Sequence, residues 1–549
     1  MFTPKPNSNY KLWKIHPKKK KILREIVDQN IKIISESVTE DLISKDYSFL
    51  KKDFDSELIK TFLKYNLINY IYPTAINLSK DEKLKLRKYK SEFLKKKKKY
   101  DFKFFIKIIY TILKTIYFLN IKKKIKPEKK FPIIVEYFYG LKQKNDFPDI
   151  DKFKKRDILF LFRHKLKDHF LSVKQLKKFN YDYITLNKQN SKYIDSKNFD
   201  LEKISNKTKK YLKKVLVLFL KKPNKAFTNY LILNFILDYE FYRQIFKRFN
   251  TKIFVHSLTL DNLFPPIRQA LNDCNAVNVS YLRSYYKDKI NSILAQPDEI
   301  LFAWGKYFEK NFDKSSNLNK HIFYSKPYFS KLSDDKKFTK LLRKKANGKK
   351  IISLFDTNCH DASIFSPHDY NSLMENVLNY VIRNKNTFLI IKFKYPMSKI
   401  TFSKQHLLDK LLKEKRVIEI YKPFFNSSSI FTVSKLVVSM NTLSIGAEAL
   451  YKGKDSLNFV LKTFNKNHLN NFNKIYDFTS TDLKDFEKKF HLKMKSKVNH
   501  KKLLKLKKYI FQNSEKNNST NFIKFFIKET KENLSKEKII KNYVKKQII

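Results

Sequence analysis

Glycine and cysteine are scarce in this sequence, which makes the positions of the few that remain informative. Only five of the 549 residues are glycine, and only two are cysteine. Cys274 and Cys359 lie far apart and match no metal-ligand spacing, so the sequence predicts no disulfide framework and indicates a reducing compartment. In a composition so poor in glycine, we expect each glycine to mark a place where the backbone packs closely or approaches a ligand.

Long apolar runs are also missing. The N-terminus, MFTPKPNSNYKLWKIHPKKKK, has no apolar core and does not resemble a signal peptide. The most apolar stretch, residues 104–121, is interrupted by Lys107 and Lys114 and is too short and too charged to span a bilayer. Because lysines 122–124 follow it, this stretch is the best candidate for an amphipathic helix at a membrane surface. We expect a cytoplasmic protein and leave open its attachment to the inner face of the membrane.

Basic residues are far more abundant in this sequence than acidic ones. Lysine and arginine number 117 against 52 acidic residues, which gives a formal net charge of +65. Three explanations compete: a nucleic-acid partner, an anionic membrane surface, or an A+T-rich genome, which would favour Lys, Asn, Ile, Phe and Tyr together. The sequence contains no RNP-type strand motif, zinc-ligand set or helix-turn-helix signature, so no specific nucleic acid is expected. The charge still attracts anions such as nucleotides and phospholipids.

The pattern of apolar residues divides the chain into four parts. Residues 1–130 read as a basic helical extension. Residues 131–330 alternate short apolar runs with helical segments, which predicts a parallel, doubly wound α/β domain. The charged stretch 330–350, which contains Asn347-Gly348, is predicted to be a linker to a second such domain at 350–480, and 481–549 is again basic and helical. The predicted strands are 133–135, 158–162, 183–184, 253–255, 276–279, 351–355, 388–391 and 436–438.

Residues 434–460 combine small residues with the features of an anion site. An apolar strand, a polar turn and a helix follow one another here. The helix N-terminus would offer free N–H groups, and Thr442 and Ser444 would add hydroxyl donors. Gly446 would let a phosphate approach the backbone, and Glu448 would accept hydrogen bonds from sugar or ribose hydroxyls. An ordinary strand–helix unit with a Ser/Thr-capped helix fits the same spacing equally well.

The same stretch resembles the donor-site segment of GT-B-type glycosyltransferases that build bacterial surface polysaccharides. It is also similar to the related CDP-glycerol glycerophosphotransferase-like proteins. The resemblance implies that this segment holds the nucleotide diphosphate of the donor. The usual proline after the Gly-Lys pair is Asp455 here. The pattern S-x-N-[ST]-x-x-G-x-E-A-L-x-x-G-K is carried by Ser439, Asn441, Thr442, Gly446, Glu448, Ala449, Leu450, Gly453 and Lys454.

Two further elements resemble the same enzymes, and a third stretch departs from them. A strand ending in Trp304-Gly305 before an aromatic helix is similar to their W-G-x-[YW] element, although a tryptophan there is more typical of a core. The pattern F-L-I-I-K-x-K-x-P at 388–396 resembles theirs, with Tyr395 in place of the usual histidine, and implies that Lys392 and Lys394 face the donor phosphates. Two surface lysines in a lysine-rich chain explain the same residues equally well. Residues 281–286 replace a Gln-His-Gly-like loop. GT-B chains commonly end in helices that cross back to the first domain; a membrane-facing tail is the alternative.

The resemblance also implies the chemistry. A GT-B transferase in its usual form needs no metal, because helix dipole, hydroxyls and basic side chains stabilise the leaving phosphate. No DxD motif with suitable flanks and no paired His/Cys ligands occur, so we predict no metal and no cofactor. An inverting transfer needs a general base. The candidates are His256 and Asp261, with His164 as a further one; a lone histidine such as His256 is more often structural.

The sequence thus predicts two doubly wound, Rossmann-like domains of the GT-B type with basic helical extensions at both ends. The expected function is transfer of a sugar from a nucleotide-activated donor to a cell-surface polysaccharide or lipid-linked glycan. Transfer of glycerol phosphate or another polyol phosphate by the same architecture is one alternative. The other is a non-catalytic basic protein that binds nucleic acid or membrane.

Overall fold

The fold is described from a computed structural model. The residues that it describes are 45–50, 52–63, 102–121, 129–136, 150–162, 176–185, 203–222, 225–257, 264–282, 298–307, 321–331, 333–356, 367–393, 404–420, 427–440, 443–460, 466–512 and 518–548.

The first domain is built on a sheet of seven parallel strands in the order β3-β2-β1-β4-β5-β6-β7. The strands are β1 (Ile133–Glu136), β2 (Ile158–Phe162), β3 (Asp182–Thr185), β4 (Ile253–Ser257), β5 (Val277–Tyr281), β6 (Ile300–Ala303) and β7 (His321–Tyr324). In the described part of the chain, the helices that precede or separate them include α1 (Phe102–Asn120), α2 (Asn206–Lys221), α3 (Ala226–Arg248) and α4 (Phe264–Asp273). β2 is buried along its whole length, as expected of a parallel strand covered on both faces.

The second domain is built on six parallel strands in the order β10-β9-β8-β11-β12-β13. The strands are β8 (Lys350–Phe355), β9 (Thr387–Lys392), β10 (Val417–Ile420), β11 (Leu436–Met440), β12 (Ser456–Phe459) and β13 (Thr479–Ser480). The helices are α5 (Lys336–Ala346), α6 (Pro367–Arg383), α7 (Gln405–Lys413), α8 (Ser427–Val433), α9 (Leu443–Tyr451), α10 (Lys466–Ile475), α11 (Leu483–Lys495) and α12 (His500–Ile510).

Both sheets share one strand order. Numbered within its own domain, each runs 3-2-1-4-5-6, with a seventh strand added in the first domain. This is the doubly wound order of nucleotide-binding Rossmann folds. The predicted α/β class with two Rossmann-like domains is therefore confirmed. The predicted linker contains α5, which packs against the second sheet through Leu342 and Ala346.

The last two helices return to the first domain. α13 (Asn518–Glu529) and α14 (Lys536–Ile548) cover one face of the first sheet, where Phe522, Phe526 and Ile539 pack with its valines and isoleucines. The buried Nζ atom of Lys536 donates a hydrogen bond to Glu299 over 2.9 Å. Of the two predicted arrangements for the tail, these helices adopt the one that crosses back.

The opposite face of the first sheet packs against α1 to α4 and against the chain that precedes them. Within residues 45–63, Tyr47, Phe54 and Phe62 are buried in that core. The Tyr47 hydroxyl donates a hydrogen bond over 2.7 Å to Asn229 on α3. This part of the predicted N-terminal extension therefore contributes to the core of the first domain, while the domain boundaries themselves stay predictions.

A further apolar cluster, around Trp304, joins the two domains. This side chain is 2% exposed, stacks edge-on against Phe329 at 4.9 Å, and shares its cluster with Leu450 of α9 and Leu506 of α12. A Cβ atom on Gly305 would lie 2.6 Å from the backbone oxygen of Ile510. Trp304 is thus a core residue, and Gly305 is the place where the end of α12 passes close to the first domain.

Candidate functional site

The strand order places a crevice in each domain. In the second sheet the order reverses between β8 and β11, and ligands of doubly wound folds bind outside the carboxyl ends of the strands at such a point. β8 ends at Phe355 and is followed by Asp356, whose side chain is 6% exposed. β11 ends at Met440, and α9 begins three residues later. The N-terminus of α9 therefore lies at the switch point of the second domain.

Of the three predicted donor-site residues between β11 and the first turn of α9, the structure describes only Ser444. Ser444 lies in the first turn of α9 and is half-buried. Asn441 and Thr442, between β11 and α9, lie outside the described residues. Ser444 is therefore positioned to act together with the N–H groups of the first turn, which have no partners within the helix. The predicted role of all three in donor binding stays a prediction.

Glu448 is held inside the protein one turn further along α9. Its side chain is 3% exposed, and the Ser427 hydroxyl, on the first residue of α8, donates a hydrogen bond to Oε1 over 2.5 Å. Burial raises the pKa of Glu448 to about 7, which the Ser427 hydrogen bond and the positive charge of Lys452 partly oppose. At neutral pH this carboxyl group is therefore poised between its charged and neutral forms, close to the switch point.

Ser439 and Gly446 have partners within the second domain. Ser439 lies in β11 and is fully buried, and its hydroxyl donates a hydrogen bond to Oδ1 of Asn458 on β12. A Cβ atom on Gly446 would lie 2.2 Å from the same Oδ1 atom. Asn458 in turn donates to the Phe478 carbonyl over 2.9 Å. Gly446 thus lets α9 pack onto β12. For Ser439 and Gly446, the geometry favours a role in packing over a direct contact with the nucleotide-sugar donor.

Lys392 ends β9, next to β8. Its ammonium group donates a hydrogen bond to the Phe393 carbonyl over 2.8 Å, and its side chain is half-buried. The charge therefore sits at the carboxyl edge of the sheet, on the same edge as the start of α9. Lys394 lies outside the described residues. Lys392 is compatible with a phosphate-facing role, which stays a prediction.

The candidate base His256 is enclosed in the first domain. Its side chain is 1% exposed and stacks on Phe264 with ring centres 4.1 Å apart. Its Nε2 atom lies 2.9 Å from Oδ1 of Asp298, which is also buried. A base must reach the acceptor hydroxyl, so this enclosure favours a structural role. Asp261 and His164 lie outside the described residues.

Three contacts were missed from the sequence: Ser427 beside Glu448, Asn458 beside Gly446, and Asp298 beside His256. The run Ser427-Ser428-Ser429 at a helix start was a usable signal, because serine is a preferred N-terminal residue of helices. The pairing of Asn458 and of Asp298 depends on strand order, which periodicity does not report. Among the described residues, no group of three or more His, Cys, Asp or Glu side chains is arranged to hold a metal ion.

No protein-family model matches the chain, and the comparison with curated proteins found no match. Among solved structures, the chain is similar to S. aureus MnaA with UDP, at 11% identity over 74% of this chain and 98% of that one, with a TM-score of 0.45. The chain is also similar to a glycosyltransferase from Rickettsia africae, at 13% identity over 76% of this chain and 100% of that one, with a TM-score of 0.43. Acinetobacter baumannii MurG gives 11% identity over 73% and 99%, with a TM-score of 0.39.

The fold assignment rests on the molecule itself. Two parallel sheets of the same 3-2-1-4-5-6 order are joined in one chain, and the final helices return to the first sheet. The architecture is of the GT-B type.

None of the described helices combines the length and the apolar content that crossing a membrane requires.

Proposed function

We propose that the protein is a GT-B glycosyltransferase that binds its nucleotide-activated sugar donor at the start of α9. The observation that carries this proposal is the position of Glu448: a buried carboxyl group, held by Ser427, one turn inside the helix that begins at the switch point. This is the glutamate of the donor-site pattern. The first turn of α9 and the charge of Lys392 supply the positive potential that a diphosphate needs.

In the proposed reaction, the bond between the sugar's anomeric carbon and the diphosphate oxygen breaks, and a bond from the acceptor oxygen to that carbon forms. The nucleoside diphosphate leaves with the electron pair, stabilised by the start of α9 and by Lys392. The acceptor's proton passes to a general base, for which Asp261 stays a prediction. Because Glu448 is 3% exposed, donor binding has to open the site around it before its charged form can accept a hydrogen bond from a ribose hydroxyl. The proposed transfer needs no metal and no cofactor, so a chelator leaves it unchanged.

The acceptor we propose is a cell-surface polysaccharide, such as capsule or lipopolysaccharide, or a lipid-linked glycan. This part follows from the sequence pattern of residues 434–460, which resembles enzymes that build such polymers. A lipid-linked acceptor would require the protein to reach the cytoplasmic face of a membrane.

The first experiment measures thermal unfolding of the full chain with uridine, cytidine, guanosine and thymidine diphosphates. A nucleotide at 100 times its dissociation constant should add about 2.7 kcal/mol of stability. We expect one base to stabilise the protein, and Glu448→Gln to weaken the response at pH 8, because a charged acceptor is then lost. Glu487→Gln, which changes an exposed glutamate on α11, is the matched control and should respond like wild type.

The nucleotide that the reaction releases then distinguishes sugar transfer from polyol-phosphate transfer. Sugar transfer releases a nucleoside diphosphate, whereas polyol-phosphate transfer breaks the diphosphate and releases a nucleoside monophosphate. Release of the diphosphate supports the proposal, and release of the monophosphate favours the glycerol-phosphate alternative. If no nucleotide stabilises the protein and it binds RNA with a steep salt dependence, the non-catalytic alternative replaces both.

A further inference from the structure

Helix α1 carries its large apolar side chains on the side that faces away from the protein. Their positions, three, four and seven residues apart, form one stripe along the helix, here called the outer stripe. It consists of Ile106, Ile109, Tyr110, Leu113, Ile116 and Tyr117, whose exposed fractions are 49%, 41%, 67%, 59%, 45% and 62%. A helix at the surface of a protein in water normally turns its apolar side chains toward the core and its polar side chains toward the solvent.

The inner side of α1 explains how the helix is held. Thr111 and Thr115 are 3% and 0% exposed, and the Thr115 hydroxyl donates a hydrogen bond to the Thr111 carbonyl over 2.7 Å. Phe118 is also buried, in the core formed with α2 and α3. The two threonines and Phe118 thus face the protein, while the six apolar side chains of the outer stripe point outward. The helix is anchored, and its outer stripe is left for a partner that is itself apolar.

Charge and chemistry indicate which partner. α1 contains no acidic residue, and the exposed Lys107 lies on the helix beside the stripe. The stripe includes Tyr110 and Tyr117, and such side chains, apolar with a polar tip, favour the boundary between lipid and water.

The neighbouring helix α2, which contacts α1, also exposes apolar side chains together with lysines. It exposes Val217 at 46% and Leu220 at 85%, together with the exposed Lys213, Lys214 and Lys221. Two adjoining helices therefore present apolar side chains and lysines to the outside.

A second copy of the chain fits this surface poorly, because each copy carries a formal net charge of +65 and the two would repel. A bilayer that contains anionic lipids attracts the same lysines and accepts the apolar side chains. We propose that the outer stripe of α1 and the outward side of α2 form a docking surface for an anionic lipid bilayer. The apolar side chains enter the boundary of the acyl chains, and the lysines contact the headgroups. This docking is independent of the proposed transferase activity.

The test is flotation of the full chain with vesicles of phosphatidylcholine alone or with about 30% phosphatidylglycerol. The test variant combines Tyr110→Ser, Leu113→Ser and Tyr117→Ser. The control variant combines Leu341→Ser, Leu492→Ser and Leu504→Ser, which are 46%, 56% and 54% exposed on α5, α11 and α12. Because both variants change exposed side chains only, both should keep the circular dichroism spectrum and the melting temperature of wild type, which is measured first.

We expect wild type and control to bind the anionic vesicles and the test variant to bind at least about tenfold more weakly, because three apolar side chains no longer enter the lipid. Binding should also weaken between about 0.1 M and about 0.5 M salt. Equal binding by all three proteins would overturn the proposal, since charge alone would then explain it. Absence of binding by wild type would overturn it too. Light scattering that shows a wild-type dimer and a monomeric test variant would assign the stripe to a second copy.

Discussion

The Nζ atom of Lys493 on α11 lies 2.6 Å from Oδ1 of Asp455, directly before β12, and both side chains are about 95% buried, at 5% and 4% exposure. The same ammonium group lies 3.8 Å from the centre of the Tyr476 ring. Burial lowers the pKa of Lys493, and the carboxylate of Asp455 opposes that change. Asp455 stands at the position where the sequence departs from the donor-site pattern, and this aspartate has its own partner on α11.

Removing the cation alone should destabilise the protein strongly. Lys493→Met leaves Asp455 as a buried charge without its ammonium partner, and we expect the free energy of unfolding to fall by about 3–5 kcal/mol. The double variant Lys493→Met/Asp455→Asn removes both charges and should recover a substantial part of that loss. Urea unfolding of the three proteins checks this. Equal losses in the single and double variants would mean that the pair contributes through packing and not through charge.

The contact between Gly446 and Asn458 predicts a coupled pair of substitutions. Gly446→Ala should lower the free energy of unfolding by about 1–3 kcal/mol, because the new methyl group would lie 2.2 Å from Oδ1 of Asn458. In an Asn458→Ala background that oxygen is gone, and the same change should cost about 1–2 kcal/mol less. Gly453→Ala is the control: it has a φ of +71° and no neighbour within 4 Å, so its cost should not depend on Asn458. An uncoupled cycle for Gly446 would contradict the contact.

For Gly305 we predict a loss of stability that no side-chain substitution relieves, because the atoms nearest to it belong to the backbone of Ile510 and Phe511. Gly305→Ala would place a methyl group 2.6 Å from the Ile510 carbonyl oxygen and 2.9 Å from the Phe511 Cα atom, so the end of α12 must move. We expect a loss of about 2 kcal/mol or more in thermal unfolding. Gly348→Ala, at a φ of +74° with no atom within 4 Å, should cost only about 1 kcal/mol. Equal losses at the two glycines would show that α12 does not pass so close to Trp304-Gly305.

Glu448 predicts a pH dependence of stability. Its pKa is raised in the folded protein from 4.5 to about 7, so the folded state holds this proton more tightly than the unfolded state does. Wild type should therefore lose stability at this site as the pH rises from about 4.5 through about 7, by up to about 3 kcal/mol. Glu448→Gln cannot ionise, so it should match wild type near pH 4 and exceed it at pH 8.

Urea unfolding of wild type and Glu448→Gln across that pH range measures the difference. Glu487→Gln, on the exposed side of α11, should follow wild type throughout. A constant difference between Glu448→Gln and wild type at all pH values would mean that the Glu448 carboxyl group ionises alike in the folded and unfolded states.

The sequence by itself determined the fold class and most of the strands. Runs such as 158–162 and 388–391 are continuously apolar because parallel strands are covered on both faces, and a continuous apolar run is readable without a structure. β7, β10, β12 and β13 were missed. All four residues of β7 and two of the four residues of β10 are only partly buried, and β12 carries Ser456 and Asn458, whose polar groups are satisfied by partners elsewhere in the chain. Polar residues inside a strand hide its periodicity.

The sequence also determined which residues could form a donor site, through the spacing of Gly446, Glu448 and Gly453. Only the tertiary structure decided what the candidate residues contact: Gly446 packs on Asn458, Glu448 accepts a hydrogen bond from Ser427, and the candidate base His256 contacts Asp298. These partners come from other strands and helices, at sequence separations that no local pattern encodes. The same holds for α1. Its apolar content was visible in the sequence, but the side that faces outward depends on which residues α2 and α3 cover.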